Sequence, residues 1–170
     1  MQPSTTKDLI EIVKNAIMVE IKGHQLYSHA ADQVASSSAR TMFTVLAQDE
    51  AEHIRMLQAQ HRSLLEHGRF DASAIHPAEV DHGAGTVIDD DFRRSLARGK
   101  FEMAVIGIGC DLERNSIAYY QTQADTAADP EARKLFARLV EWEEGHLRLL
   151  LELEREAQDA YWADQGFAPM

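Results

Sequence analysis

Apolar residues recur along this chain at the three- and four-residue spacing of a helical face, in four separate stretches. Each stripe of apolar residues is interrupted near its middle by a glutamate, and in the second and fourth stripes a histidine follows three residues later. The members, in chain order, are Ile10, Val13, Ile17, Glu20, His24 and Tyr27; Phe43, Leu46, Glu50, His53, Leu57 and Leu64; Met103, Ile106, Cys110, Glu113, Ile117 and Tyr120; and Phe136, Leu139, Glu143, His146, Leu150 and Leu153. The pattern predicts four amphipathic helices and an all-α fold.

The second half of the chain repeats the first. Adding 93 to the residue number takes Glu20 to Glu113 and Tyr27 to Tyr120, and it likewise takes Glu50-x2-His53 onto the second Glu-x2-His pair. Over residues 20 to 57, 13 of 38 positions are identical under this shift without a gap. We interpret the chain as one helical hairpin used twice.

Proline and glycine set the boundaries of the four helices. Asp129 and Pro130 form a helix start, with the aspartate as cap and the proline in the first turn, and the shift places Ser36 at the corresponding point of the first half. We therefore predict helices near 6–35, 37–66, 91–127 and 130–160, joined in the middle by a crossover over about 68–90. Such a crossover can run the length of a bundle of ~45 Å helices. This is the connectivity of a ferritin-like four-helix bundle, and we assign residues 1–170 to one such domain.

Composition narrows the classes of function. The chain has 17 basic and 28 acidic residues, a formal charge of −11, which argues against a nucleic-acid partner and permits cation binding. Its single cysteine, Cys110, rules out an internal disulfide framework or a C-x-x-C metal knuckle. Charged residues interrupt the first 20 positions, and no uncharged run approaches the ~18 residues of a membrane span. We expect a soluble, cytoplasmic protein that interacts with no membrane.

The glutamates on the apolar stripes indicate a metal centre. A buried carboxylate is destabilising by several kcal/mol unless it is paired or bound to a metal, and four in one layer would repel one another. Two divalent cations remove that repulsion, and mixed carboxylate and imidazole ligands suit iron, manganese or zinc. A glutamate from each of two helices and a Glu-x-x-His from each of the other two is the di-iron or di-manganese pattern of this fold. The candidate ligands are Glu20, Glu50, His53, Glu113, Glu143 and His146.

Neighbouring acidic residues are excluded as ligands by the repeat. Asp49, Glu141 and Glu144 all flank the motifs, but the shift pairs them with Trp142, Gln48 and Ala51. Asp49 is kept only as a candidate partner for the outer N–H of an imidazole.

The doubled motif resembles the rubrerythrin and bacterioferritin branch of the ferritin-like superfamily, over about residues 6–160. The resemblance rests on Glu20-x6-Tyr27 with Glu50-x2-His53, and on the same pair of motifs 93 residues later. It implies two iron ions per chain, with Glu50 and Glu143 bridging them. Glu20 and His53 would complete one iron, and Glu113 and His146 the other.

The resemblance also implies roles behind the metal ligands and a type of reaction. Tyr27 and Tyr120 would each hydrogen-bond a terminal carboxylate. The reduced centre in this family reacts with hydrogen peroxide or dioxygen and cycles between diferrous and diferric states. We also expect a homodimer or a larger homo-oligomer.

Three positions depart from the family patterns. Ser116 stands where many rubrerythrins have a further glutamate, which bears on peroxide-specific ligand exchange. Ala51 stands where bacterioferritins have a haem-ligating methionine, so no haem is expected. With only Cys110 present the chain holds no rubredoxin-type iron site, so the electron donor would be an external molecule.

The sequence leaves three functions open. The first is a di-iron oxidoreductase that reduces peroxide or oxygen. The second is a ferroxidase and iron-storage protein, since the ligand set is common to both. The third is a metal-free helical interaction module, in which the buried carboxylates would be structural.

Overall fold

The computed structural model describes residues 5–75, 96 and 100–164. These residues form helix α1 (Thr6–Gln33), helix α2 (Ser37–His67), a short 3-10 helix (Ala72–Ala74), helix α3 (Lys100–Thr126) and helix α4 (Pro130–Asp164). They contain four α-helices and no strand, which confirms the predicted all-α, ferritin-like four-helix bundle. Most of the crossover predicted over 68–90, and the start of the helix predicted from residue 91, lie outside the described residues. The assignment of the whole chain to one domain remains a prediction.

Side chains cap the helices at equivalent points of the two hairpins. The hydroxyl of Ser36 accepts from the backbone N–H of Ala39 at 3.3 Å and so caps α2. At the corresponding position, Oδ1 of Asp129 accepts from the N–H of Glu131 at 2.7 Å and caps α4. Each cap satisfies backbone donors that have no partner within the helix. Each hairpin turn therefore ends at a polar residue that caps the helix after it.

Each of the two hairpin turns has an arginine that folds back onto the turn. The guanidinium of Arg40 donates to the carbonyl oxygen of Val34 at 3.1 Å. Arg133 donates to the carbonyl oxygen of Ala127 at 2.9 Å, and the shift of 93 superimposes both partners. The sequence repeat is thus also a repeat of hydrogen bonds.

Contacts between the hairpins define the direction of the helices. Tyr27, late in α1, contacts Glu113, which lies in the first half of α3, whereas Tyr119, late in α3, donates to the carbonyl of Ile12 at 3.0 Å. Helices α1 and α3 are therefore antiparallel. Because α1 and α2 form an antiparallel hairpin, α2 and α3 run parallel, as in the ferritin-like connectivity.

The core consists of two apolar clusters with a layer of buried charge between them. One cluster contains Tyr27, Phe43, Ile106 and Leu150, and the other contains their repeat partners Tyr120, Phe136, Val13 and Leu57. Each of these eight side chains is at most 1% exposed. The layer between the two clusters along the helices consists of Glu20, Glu50, His53, Glu113, Glu143 and His146. The polar layer is thus closed by apolar side chains toward both ends of the bundle.

The outer faces of the helices are charged. Ion pairs three residues apart join Lys14 to Glu11 at 2.9 Å and Lys134 to Glu131 at 2.8 Å. Exposed pairs of this kind contribute little to stability.

In the described part of the chain, none of the helices combines the length and the hydropathy needed to cross a membrane.

Candidate metal centre

The bundle brings all six candidate ligands into one buried layer. Two groups of potential ligand atoms occur there, each with all its atoms within 4.8 Å of one another. The first group is Glu20, Glu50, His53 and Glu143, and the second is Glu50, Glu113, Glu143 and His146. All six side chains are at most 2% exposed. Glu50 and Glu143 belong to both groups, whereas each of the other four belongs to one.

Both histidines turn the same ring nitrogen toward the carboxylates. Nδ1 of His53 lies 2.9 Å from Oε2 of Glu20 and 3.3 Å from Oε1 of Glu143. Nδ1 of His146 lies 3.2 Å from Oε2 of Glu143 and 3.9 Å from Oε1 of Glu113. This arrangement follows from helix geometry, because residues three apart project from the same face. The nitrogen that could ligate a metal is Nδ1 in each ring.

The two tyrosines tie the hairpins together across the centre. The hydroxyl of Tyr27 on α1 donates to Oε1 of Glu113 on α3, and the hydroxyl of Tyr120 on α3 donates to Oε1 of Glu20 on α1. Burial, together with the charge of Glu113, raises the pKa of Tyr27 well above its ordinary value. Burial and the charge of Glu20 do the same for Tyr120. Both phenols therefore keep their protons and act as donors at neutral pH.

The chemistry of the buried layer fits a pair of metal ions. Within the described residues, Oε1 of Glu50 and Oε2 of Glu113 are buried and accept no hydrogen bond. A buried carboxylate oxygen without a donor is destabilising by about 1–3 kcal/mol or more. Metal coordination would satisfy both oxygens, and the donor set of carboxylates and imidazoles suits first-row divalent metals. The centre therefore has the composition and the unsatisfied acceptors of a metal site.

Protons compensate the charges when no metal is bound. Burial, and then the charges of Glu143 and Glu50, raise the pKa of both Glu20 and Glu113 well above the ordinary value. Burial acts against charging His53, but Glu143 and Glu20 outweigh it and raise the pKa of that imidazole well above its usual range. The same holds for His146, where Asp49 and Glu143 raise the pKa. Protons on these four groups balance the charges of the metal-free layer.

The remaining two carboxylates stay ionised. Burial opposes the charge on Glu143, but the imidazoles of His146 and His53 outweigh it and hold the pKa well below the ordinary value. Burial and Glu143 likewise act against the charge on Glu50, and the same two imidazoles lower its pKa. The two carboxylates shared by both groups are therefore the negative centre of the layer.

Gly23 makes room for one of the shared carboxylates, a role that the hydrophobic pattern of the sequence does not predict. A methyl group at residue 23 would come within 2.8 Å of both Cδ and Oε1 of Glu50. Such a contact is shorter than packed side chains allow, so α1 can approach Glu50 this closely only with glycine at this position. One signal was available, because Gly23 is the only glycine between Thr6 and His67.

The two halves of the centre differ behind the histidines. Oδ2 of Asp49 lies 3.4 Å from Nε2 of His146, on the side of the ring away from the glutamates. The repeat partner of Asp49 is Trp142, and its ring stacks on His53 with centroids 4.8 Å apart and planes 10° apart. The sequence predicts Asp49 as a candidate imidazole partner, but it does not predict the stacking of Trp142.

Other polar residues near the motifs in sequence lie outside the two ligand groups. Glu141 and Glu144, which the repeat excluded as ligands, are exposed, and Glu141 pairs with Arg138 at 2.7 Å. His24 does not join the ligand groups; its Nδ1 lies 2.8 Å from the carbonyl oxygen of Ala47 on α2. Cys110 is a buried free thiol within one apolar cluster. None of these groups belongs to the buried layer of glutamates and histidines.

A surface groove lies between α1 and α3 at the level of the centre. It has a volume of about 330 Å³ and is lined by Val19 and Lys22 from α1 and by five residues of α3, among them Ile108 and Ser116. The lining residues flank Glu20 and Glu113 in sequence. Ser116 is 2% exposed and donates to the carbonyl oxygen of Leu112 at 3.0 Å.

A family model described as Rubrerythrin matches residues 11–154, which is most of the chain and includes all six candidate ligands. Searches of curated proteins and of solved structures returned no significant match.

Proposed function

The chain belongs to the rubrerythrin family, and we propose that it is a non-haem di-iron oxidoreductase that reduces hydrogen peroxide or dioxygen. The observation that carries the proposal is the pair of overlapping ligand groups, which share Glu50 and Glu143. The unsatisfied oxygens of Glu50 and Glu113 support a site built for cations rather than for packing.

In the proposed centre the ligands divide along the two groups. Glu50 and Glu143 would be the ligands shared by two iron ions, because they alone contribute to both groups. Glu20 and His53 would complete the ligands of one iron, and Glu113 and His146 would complete those of the other. Four carboxylates and two neutral imidazoles then balance the charge of two divalent ions. Manganese or zinc could occupy the same donor set, and no haem is part of the proposal.

A bound pair of ferrous ions would supply the two electrons that reduction of an O–O bond requires. The protein contributes position and proton control. Tyr27 and Tyr120 hold Glu113 and Glu20 in place by hydrogen bonds from the opposite hairpin. Their phenolic protons stay at the hydroxyl oxygens because burial raises both pKa values. The terminal carboxylates are thereby prevented from swinging away from the metal positions.

The surroundings of the centre limit access to small molecules. The apolar clusters on both sides of the layer exclude water, and a dry site strengthens every electrostatic interaction within it. The groove between α1 and α3 is the entrance we propose for the oxidant, because its lining residues flank Glu20 and Glu113. It is large enough for peroxide or dioxygen.

Electrons would come from another molecule. With Cys110 as its only cysteine, the chain offers no second iron site of the C-x-x-C kind. Reduction of one peroxide to two waters takes two electrons and two protons, so an external one-electron donor would act twice per turnover.

We further propose that the protein forms a homodimer or a larger homo-oligomer.

Parallel stopped-flow measurements test the proposed reaction. The anaerobic protein, loaded with two ferrous ions per chain, is mixed with hydrogen peroxide or with dioxygen, and oxidation is followed by absorbance. We expect oxidation by peroxide to be at least tenfold faster than by oxygen at equal concentration. A much faster reaction with oxygen would favour a ferroxidase instead. Glu144→Gln is the matched control, because this exposed carboxylate adjoins Glu143 but lies outside the ligand groups.

Native mass measurement tests the alternative of iron storage, and metal content with melting temperature tests the metal-free alternative. A closed cage of many subunits that takes up iron far beyond two per chain would support iron storage and contradict our proposal. Protein that binds no metal, with no loss of melting temperature on Glu143→Ala, would support a metal-free interaction module. Removal of a buried charge can be neutral or stabilising when no cation depends on it.

A further inference from the structure

The repeat brings identical ligands together but places different residues behind the two histidines. At His146 the outer nitrogen Nε2 faces the carboxylate of Asp49 at 3.4 Å. At His53 the carboxylate neighbours within the described residues are Glu20, Glu50 and Glu143, and all three lie at the inner nitrogen Nδ1. The place that corresponds to Asp49 is taken by Trp142, which covers one face of His53.

This difference bears on the strength of each imidazole as a ligand. A carboxylate beside the outer nitrogen attracts the imidazole proton to Nε2, which leaves the lone pair of Nδ1 for the metal and makes the imidazole a better donor. An indole ring provides no acceptor for an imidazole N–H. Stacking fixes the plane of His53 but selects neither tautomer. The two metal positions therefore share their bridging ligands but differ in the quality of one terminal ligand.

We propose that the two metal positions are unequal and that Asp49 makes the position of His146 the tighter one, which fills first. The inference rests on the proposed metal centre and adds an order of loading to it. Asp49 is a positioning residue here, since it acts through His146 and belongs to neither ligand group. Loss of an outer partner of a metal-ligating histidine typically weakens binding about 10–100-fold.

A double-mutant cycle with cobalt(II) tests the assignment, because cobalt(II) is stable in air and visible in absorption spectra. Asp49→Asn is made in two backgrounds, His53→Ala and His146→Ala, and the first cobalt(II) binding constant is measured in each. With His146 present, we expect Asp49→Asn to weaken cobalt(II) binding at least tenfold. With His146 replaced, we expect a change of less than threefold.

The control variant is Glu144→Gln, which removes an exposed negative charge next to Glu143 and should leave both constants within twofold. Equal weakening by Asp49→Asn in both backgrounds would overturn the inference, because Asp49 would then act only as a diffuse charge.

Stepwise titration of the parent and of Asp49→Asn gives the same decision if an alanine variant does not fold. We expect only the first of the two binding constants to weaken, and weakening of both to the same extent would contradict the proposal. Failure of the parent to bind cobalt(II) would be a different result, since it would refute the metal centre itself.

Discussion

Gly23 of α1 lies directly against the carboxylate of Glu50 on α2, so close that a methyl group at residue 23 would come within 2.8 Å of its Cδ and Oε1. The atoms in contact are the end of a flexible side chain, so a larger residue would displace the carboxylate rather than separate the helices. The contact therefore links a backbone position on one helix to a proposed bridging ligand on the next.

The first prediction concerns Gly23→Ala. We expect at least a tenfold loss of affinity for divalent metal, because the added methyl group pushes Glu50 from its position between the two ligand groups. The metal-free protein should remain folded, since alanine is favoured over glycine within a helix by about 1 kcal/mol. Cobalt(II) titration and thermal melting measure the two effects.

Gly107→Ala is the matched control for this substitution. A methyl group at residue 107 of α3 would meet no atom within 4 Å. We expect it to raise the free energy of unfolding by about 0.5–1 kcal/mol and to leave metal affinity unchanged. The same loss of affinity in both variants would show that the effect is not due to Glu50.

The second prediction concerns the tyrosines that cross between the hairpins. Tyr27→Phe and Tyr120→Phe remove only a hydroxyl group, so Glu113 or Glu20 loses its donor while the aromatic packing is kept. We expect each variant to bind metal roughly tenfold more weakly, because the terminal carboxylate is no longer held. Isothermal titration with cobalt(II) measures the change.

Tyr119→Phe controls for loss of a phenol hydroxyl on the same helix; the Tyr119 side chain is half-buried. Its hydroxyl donates to the carbonyl oxygen of Ile12 at 3.0 Å and lies outside the ligand groups. We expect unchanged metal affinity and a destabilisation of about 1 kcal/mol. If Tyr119→Phe weakened metal binding as much as the other two, the account of the tyrosines would be wrong.

The third prediction is a reversal of pH dependence by metal. In the metal-free protein four groups have raised pKa values: Glu20, Glu113, His53 and His146. A group with a raised pKa stabilises the fold below its unfolded value, and that contribution is lost as pH rises through its folded value. The losses therefore begin above pH 4.5 for the glutamates and above pH 6.5 for the histidines.

We accordingly expect the chelator-treated protein to melt at a lower temperature at pH 9 than at pH 6. In the loaded protein, metal ions replace the four protons, and the ligands bind metal better when they are deprotonated. We therefore expect the loaded protein to be less stable at pH 6 than at pH 9. Calorimetry of both forms at both pH values checks this. A metal-free protein that becomes more stable between pH 6 and pH 9 would contradict the assigned protonation.

The sequence predicts much of the centre because helical spacing alone determines which side chains share a face. Glu50 and His53 are three residues apart, and the shift of 93 identifies their counterparts without any knowledge of the packing. The helices themselves follow from the same periodicity. For these residues, spacing within a single helix is enough to predict which side chains lie on the same face.

Features that depend on the opposite helix could not be predicted in this way. The role of Gly23 depends on what α2 presents to it, and the stacking of Trp142 on His53 depends on how α2 and α4 are rotated about their axes. The repeat gives no help with the stacking of Trp142, because it pairs this residue with Asp49, a residue of different chemistry. Contacts between elements, unlike spacing within them, require the folded structure.

Anaerobic titration with ferrous ions tests the central claim most directly. The metal-free protein is titrated with Fe(II), and bound and free metal are separated at each step. We predict saturation at two Fe(II) per chain, one for each ligand group, and loss of at least one of them in Glu50→Ala, which removes a ligand common to both. Saturation below two per chain, or a Glu50→Ala variant that binds as the parent does, would contradict the account.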